Sequence, residues 1–272
     1  MKDGQSPSRR YQAGQSEKIR CRAAFISDLH LGLPAAQAKQ AQEFLRSLDP
    51  ERLYLVGDIF EMSLGRAPIR WSQSAVMAVR TILGLAKHGT KLYYTPGNHD
   101  SAARRIIGAE LGSLSIEDSF EFDALNGKRY WVVHGDIFDD KPTWLMRQLG
   151  RFSPFYGYYG SAKQAIRRNK TSPARSRLKH IDEFFEDWMQ RARQEAESRG
   201  FDGVICGHIH RPRIERDQML HPAYINLGDW VEHSTAAIEY HDGFIELIHW
   251  NRPETAKVEF EFRSRQLEAS AA

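Results

Sequence analysis

Thr95-Pro96-Gly97-Asn98-His99-Asp100 is the stretch on which the reading of this chain turns. It follows the apolar run Leu92-Tyr93-Tyr94, a pattern that predicts a strand over 91–95 closed by a tight turn, with a helix after it. Pro96 fixes one backbone angle, and Gly97 permits the close approach that a turn beside a bound ion requires. Asn98, His99 and Asp100 then project together from the strand's end. Pro-Gly-Asn by itself is ordinary turn chemistry. Its company gives it meaning, because four more polar clusters also close apolar runs: Asp28 with His30, Asp58, His134, and His208 with His210.

Toward the N-terminus, residues 23–27 form a short apolar run that stops at Asp28-Leu29-His30. Residues 35–48 have helical spacing, with Phe44, Leu45 and Leu48 on one face. A second apolar run, 53–56, stops at Gly57-Asp58, and 72–87 reads as a helix ended by His88-Gly89. Strands that alternate with helices and carry polar residues at their carboxyl ends predict an α/β sheet with its site along that edge. After about Gly112 the texture changes to strands and turns: 120–124, the hairpin signal Asn126-Gly127, and 129–133 running into His134. Further strands are expected over 203–206, 223–227, 236–240 and 244–250, with His241-Asp242-Gly243 as a turn, and 258–262 alternates as an edge strand would.

Between these halves, residues 141–200 read as helices and are expected to form an inserted cap. Residues 141–180 hold ten Lys or Arg and no Asp or Glu, interleaved with Trp144, Leu149, Phe152, Phe155 and Tyr156. Acidic residues follow at Asp182, Glu183, Glu186 and Asp187, so the overall net charge of +3 conceals a strong local asymmetry. The expected organisation is a disordered tail over 1–20, one domain over 21–262 carrying the cap, and a disordered tail over 263–272.

Hydrophobic content of 41% and charged content of 27% exclude wholesale disorder. Cys21 and Cys206 offer no disulfide framework and fit a reducing compartment. No apolar run approaches the ~18 residues of a membrane span, and the first 20 residues lack a signal-peptide core. These features predict a cytoplasmic protein.

Carboxylates, imidazoles and one side-chain amide, without thiolate, suit divalent ions such as Mn, Fe or Zn, with Mn the leading expectation. Asp58 is the natural bridge because it ends the middle strand. One ion would take Asp28, His30, Asp58 and His210, and the other Asp58, Asn98, His134 and His208. Alternate residues of a strand face one way, so the two imidazoles of Gly207-His208-Ile209-His210 would point at one spot. Two ions roughly 3.5 to 4 Å apart activate a bridging hydroxide and clamp phosphoryl oxygens. His88, His180, His221, His241 and His249 lack this company and read as surface or turn residues, and His233 stays outside the expected site.

Asp28-x-His30, Gly57-Asp58-x-x-Glu61, Gly97-Asn98-His99-Asp100, His134 and Gly207-His208-x-His210 together resemble the calcineurin-like metallophosphoesterase superfamily. The resemblance implies a four-layer α/β/β/α sandwich of two mixed sheets, a dinuclear metal site with the ligands named above, and hydrolysis of a phosphoester or phosphoanhydride. It also implies that His99 supports the reacting phosphate or leaving group, with Asp100 orienting it. A narrower resemblance, carried by 58–61, 134–136, 207–212 and 227–230, is to the UDP-2,3-diacylglucosamine pyrophosphatase branch, which acts on a nucleotide-linked lipid sugar of lipid A synthesis. That branch usually has Arg where this chain has His99. Glu61, Arg147, Arg151, Tyr156, Lys163 and Arg167 are the expected substrate contacts, and the basic cap suits peripheral contact with an anionic membrane surface on the cytoplasmic face of the inner membrane. Rival readings are a phosphodiesterase or phosphatase of a soluble nucleotide and a non-catalytic scaffold. A cap rich in Leu, Met and aromatics disfavours nucleic acid, and the sequence implies no protein partner.

Overall fold

Alternation along the strands sorts the apolar side chains into three separate cores. In β1 (Ile19–Ile26), Ala24 and Ile26 join one core while Ala23 and Phe25 join another. β2 (Leu48–Val56) repeats this, with Leu53 and Leu55 on the first side and Tyr54 and Val56 on the second. Such a period of two follows from the pleat. The computed structural model describes residues 18–62, 71–139, 174–215 and 222–250, and side chains of the last helix from Asp182 onward. The expected tails, the strand over 258–262, and most of the cap, including Arg147, Arg151, Tyr156, Lys163 and Arg167, lie outside the described residues.

The remaining strands are β3 (Lys91–Thr95), β4 (Glu110–Leu111), β5 (Leu114–Ile116), β6 (Phe120–Asp123), β7 (Arg129–Val132), β8 (Gly203–Cys206), β9 (Arg213–Glu215), β10 (Ala223–Asn226), β11 (Thr235–Glu239) and β12 (Ile245–His249). One sheet runs β12-β11-β1-β2-β3-β5-β4 and the other β6-β7-β8-β10-β9. Both are mixed. β1, β2, β3 and β5 pair in parallel, as do β7, β8 and β10, while the outer pairs are antiparallel.

Helices α1 (Ala38–Ser47) and α2 (Gln73–Lys87) cover the outer face of the seven-stranded sheet. They bury Ala41, Phe44 and Leu45, and Ala78, Ile82 and Leu85, at the three-and-four spacing of a helix. Ser72 caps α2 by accepting from the Ala75 amide at 3.1 Å. On the far side of the second sheet, α3 (Ala174–Ser198) buries Trp188, Met189, Ala192 and Ala196 against Val204 and Cys206 of β8. Two sheets with helices outside each make the expected four-layer sandwich. Each large side chain buried in these layers contributes about 1.5–3 kcal/mol relative to exposure.

Differences from the sequence reading have local causes. β2 begins at Leu48, directly after α1, because Ile19, Arg20 and Cys21 pair with Leu48, Asp49 and Pro50 despite the charges and the proline. β4, β5 and β9 are two or three residues long, too short to leave a periodic signal. After Asp100 the chain forms a 3-10 helix, Ser101–Ile106, none of whose residues is buried, so it has no apolar face to extend as an α-helix.

A candidate metal centre at the strand ends

β1, β2 and β3 of the first sheet, and β7 and β8 of the second, stop along one edge and hand over to the loops that carry the expected ligands. Adjacent loops are tied together by their own backbones. The Asp28 amide donates to the Gly57 carbonyl at 3.0 Å, that of His30 to Asp58 at 2.9 Å, and that of Gly207 to His134 at 2.9 Å. Asp28, His30, Asp58, His208 and His210 all have positive φ, between 45° and 69°. Non-glycine residues reach that region at a cost of order 1–3 kcal/mol each and hold it where surrounding structure imposes it. Five such residues in one place show a backbone bent to aim side chains. Gly97 explains the turn after β3, since a Cβ there would lie 2.3 Å from Asp58 Oδ1 and 2.7 Å from His134 Nε2.

Three groups of ligand-type atoms converge among the described residues: Asp28, His30 and His210; His30, Asp58 and His99; and Asp58, His134 and His208, with the atoms of each group within 4.8 Å of one another. Asp58 is shared, as the bridge requires. His134 Nε2 stands 3.3 Å from Asp58 Oδ2 and 3.2 Å from Asn98 Oδ1, which brings in the expected amide. All seven expected ligands thus meet at one edge.

Groups behind the rings hold their outer nitrogens and turn the inner ones toward one another. His134 donates through Nδ1 to the Val56 carbonyl at 3.1 Å. Its Nε2 therefore meets two oxygen acceptors without a proton of its own, unless it takes one up. His30 Nδ1 lies 3.2 Å from the Glu61 carboxylate, which turns its Nε2 toward His210 Nε2 at 3.4 Å, and His210 Nε2 in turn lies 3.1 Å from Asp28 Oδ1. A cation would satisfy these inward nitrogens and carboxylate oxygens together, and the donor set fits a divalent ion of intermediate hardness.

Behind the inward atoms stand groups that hold the rings. Glu61, expected to touch substrate, is 2% exposed and sits on His30 Nδ1 and on His99 Nδ1, the latter at 2.9 Å and 3.1 Å from its two oxygens. Asp100, implied to orient His99, is fully buried and accepts instead from the amides of Asp58, Ile59, Phe60 and Gly97 at 2.6–3.2 Å. The carboxylate that holds His99 is that of Glu61, and Asp100 holds the two loops. His99 keeps its side chain 23% exposed and so reachable. Two more carboxylates were not legible in the sequence. Asp139 Oδ2 lies 2.9 Å from His208 Nε2, and buried Asp229 lies 3.9 Å from His210 Nδ1 while bonding His233 Nδ1. Carboxylates behind metal-facing imidazoles fix tautomer and orientation. Asp229 lies within the 227–230 stretch that carries the narrower resemblance, whereas Asp139 belongs to none of the motifs.

A family model described as calcineurin-like phosphoesterase matches residues 21–212. The chain belongs to the calcineurin-like phosphoesterase family. Among curated relatives, UDP-2,3-diacylglucosamine hydrolase of Xanthomonas campestris pv. campestris is 30% identical over 228 residues, covering 76% of this chain and 91% of that one. The protein of that name from Stenotrophomonas maltophilia is 30% identical, with 76% and 90% covered, and that from Aliivibrio fischeri 27%, with 82% and 96% covered. As a member of this family, the protein is a metal-dependent phosphoesterase. No helix among the described residues is long and apolar enough to cross a membrane.

The charge balance suits the family's divalent ions. Burial alone would raise the Asp58 carboxyl, but His134, then His30 and His99, hold it well below the usual carboxylate range. Burial would lower His134, and the Asp58 charge outweighs it, pushing the imidazole up to about 10. Asp28 is likewise lowered, against its burial, by His210, and His210 raised, against its own, by Asp28. Without metal these residues neutralise one another with protons, so loading the site displaces protons.

Proposed function

We propose that the chain hydrolyses the pyrophosphate link of a nucleotide-linked lipid sugar of the UDP-2,3-diacylglucosamine type. The observation that carries this reading is the 30% identity, over 91% of the relative's length, to a hydrolase named for that substrate. In this reading residues 21–262 act as one domain with 141–200 as its insertion, whose closing helix α3 packs onto the second sheet as the sandwich's outer layer. Asp28, His30, Asp58 and His210 hold one divalent ion, and Asp58, Asn98, His134 and His208 the other, Mn before Fe or Zn. Such ions activate water as a nucleophile near neutral pH and neutralise phosphoryl oxygens.

The chain's own groups do the rest. With Nδ1 held by Glu61, His99 presents Nε2 to the reacting phosphate, where an imidazole can donate a hydrogen bond or a proton. Asp100 keeps the loops of Asp58 and Gly97 in register so that the bridging carboxylate and Asn98 stay aimed together. The basic stretch of the cap, outside the described residues, would hold phosphate or anionic lipid heads on the cytoplasmic face of a membrane, each near-surface charge contributing about 1 kcal/mol.

A second reading, a phosphodiesterase of a soluble nucleotide, is favoured by His99, which stands where the lipid A branch usually has Arg. The two separate in one assay with added Mn, offering acylated and non-acylated UDP-sugars, cyclic nucleotides and a chromogenic diester. The proposal expects the highest kcat/KM for the acylated UDP-sugar. A higher value for a cyclic nucleotide or for the unacylated sugar overturns it.

A further inference from the structure

His208 differs from the other candidate ligand histidines in which nitrogen is held. His30 and His134 are restrained at Nδ1, by Glu61 and by the Val56 carbonyl, and turn Nε2 inward. His208 is restrained at Nε2, by Asp139 at 2.9 Å, which leaves Nδ1 as its ligand nitrogen. Its tautomer is therefore the opposite one, and Asp139 selects it.

Asp139 is 44% exposed, and a half-exposed carboxylate orients nothing unless something orients it. Trp188 does so. Its indole N–H donates to Asp139 Oδ1 at 3.1 Å, so the two carboxylate oxygens are divided between the indole and the imidazole. Trp188 itself is fully buried. Its ring meets Phe138 edge-on at 5.3 Å and Tyr224 at 6.4 Å, and a Cβ at Gly135 would lie 3.0 Å from its rim. An indole packed on these sides has one orientation, and through it the carboxylate has one as well. Trp188 belongs to α3, the helix that closes the inserted segment, whereas Asp139 lies just ahead of that segment. Both roots of the insertion thus meet on one imidazole.

We propose that Asp139 and Trp188 are positioning residues for His208, so that helix α3 sets the affinity of one ion position and leaves the other untouched. This inference rests on the two-ion reading above. Calorimetric Mn titration of the full metal-free chain, with bound metal counted after dialysis, tests it. The parent should bind two ions, and His208→Ala should lose or severely weaken one. Asp139→Asn should weaken that same ion about 10–100-fold, the usual scale for a group behind a metal-facing histidine, and leave the other within error. Trp188→Phe keeps the apolar ring and removes the N–H. It should weaken that ion less, and Trp188→Phe added to Asp139→Asn should cost no further affinity, since both act through one contact. Asp139→Glu should restore part of the loss.

If Asp139→Asn leaves both affinities unchanged while His208→Ala loses an ion, the positioning role is overturned and the two-ion reading stands. If both ions weaken together in Asp139→Asn, the residue supports the fold alone and the proposal is likewise overturned. If the parent binds fewer than two ions, or His208→Ala loses none, the two-ion reading fails and takes this one with it. Should Trp188→Phe not fold, Asp139→Asn decides the matter, because its side chain is half-exposed.

Discussion

The two flanks of the metal centre solve one problem by different routes. On the His30 flank, Glu61 restrains both His30 and His99, and Glu61 lies three residues beyond Asp58 in the same loop. These two rings and the carboxylate that restrains them come from the ends of β1, β2 and β3, parallel neighbours in one sheet, while the remaining expected ligand, His210, follows β8 of the second sheet. On the His208 flank the expected ligands His134 and His208 come from the second sheet, and the restraint on His208 comes from Asp139 and from a helix beyond that sheet. On one flank the restraint on the rings is local. The other depends on how the two sheets and the insertion pack. Variants at the shared bridge should abolish the contrast, and variants behind each histidine should expose it.

Asp58→Ala should have the largest effect, because this carboxylate belongs to both flanks. Its Oδ1 also accepts the His99 amide at 2.7 Å, so the third loop loses an anchor as well. Both ions should be lost or severely weakened and turnover should fall below detection. Parent-like activity in a metal-free sample of this variant would end the two-ion reading. Next comes His99→Ala, which removes the group proposed to face the substrate and none of the seven expected ligands. Both ions should remain, as counted by metal analysis, while kcat falls about 10²–10⁴-fold. Loss of an ion there would make His99 a ligand. Gly97→Ala should disturb the site less than removing a ligand does, and should also cost the fold. The new Cβ must displace Asp58 or His134, and overpacking of this kind costs about 1–3 kcal/mol. Thermal unfolding should show a lowered Tm, and a parent-like Tm with unchanged metal content would remove the steric argument.

What was legible in the sequence follows the same division. Parallel strands ending in Asp28, Asp58 and Asn98 announce themselves because each ligand is adjacent to its own apolar run. Five motifs sufficed to single out the seven residues that meet at this edge, and the resemblance they carry implied the two mixed sheets. Restraining groups are a different matter. Glu61 was visible as part of its motif, yet its direction was not, since nothing in Gly57-Asp58-x-x-Glu61 says whether the carboxylate turns to solvent or to His30. Asp139 sits 69 residues from His208 and Trp188 is 49 from Asp139, so their meeting is a property of packing between the second sheet and α3. Asp100 misled for a related reason. Its place beside His99 suggested a partner for that ring, but adjacent side chains diverge, and its carboxylate instead reaches four backbone amides of two loops.

Glu61→Gln is the subtlest test and the one that sharpens the comparison most. Glu61 Oε2 lies 3.2 Å from His30 Nδ1 and 2.9 Å from His99 Nδ1, while Oε1 is 3.1 Å from His99 Nδ1. Glutamine keeps the shape and can place its carbonyl oxygen where Oε2 was, so both rings retain an acceptor. It loses the negative charge, and its amide group then faces the His99 N–H as donor against donor. His30 should become a poorer ligand and His99 a less well aimed one. The expected outcome is a drop of about tenfold in affinity for the ion on the His30 flank, together with about a tenfold drop in kcat, the low end for a group behind a metal-facing histidine. The ion on the His208 flank should bind as in the parent, the mirror image of what Asp139→Asn should do. Because Glu61 acts on turnover through His99, Glu61→Gln added to His99→Ala should lower kcat little further. If instead both metal affinities stay at the parent value and KM for the phosphoester rises, Glu61 touches substrate, and the position first expected for it from the sequence would be the right one.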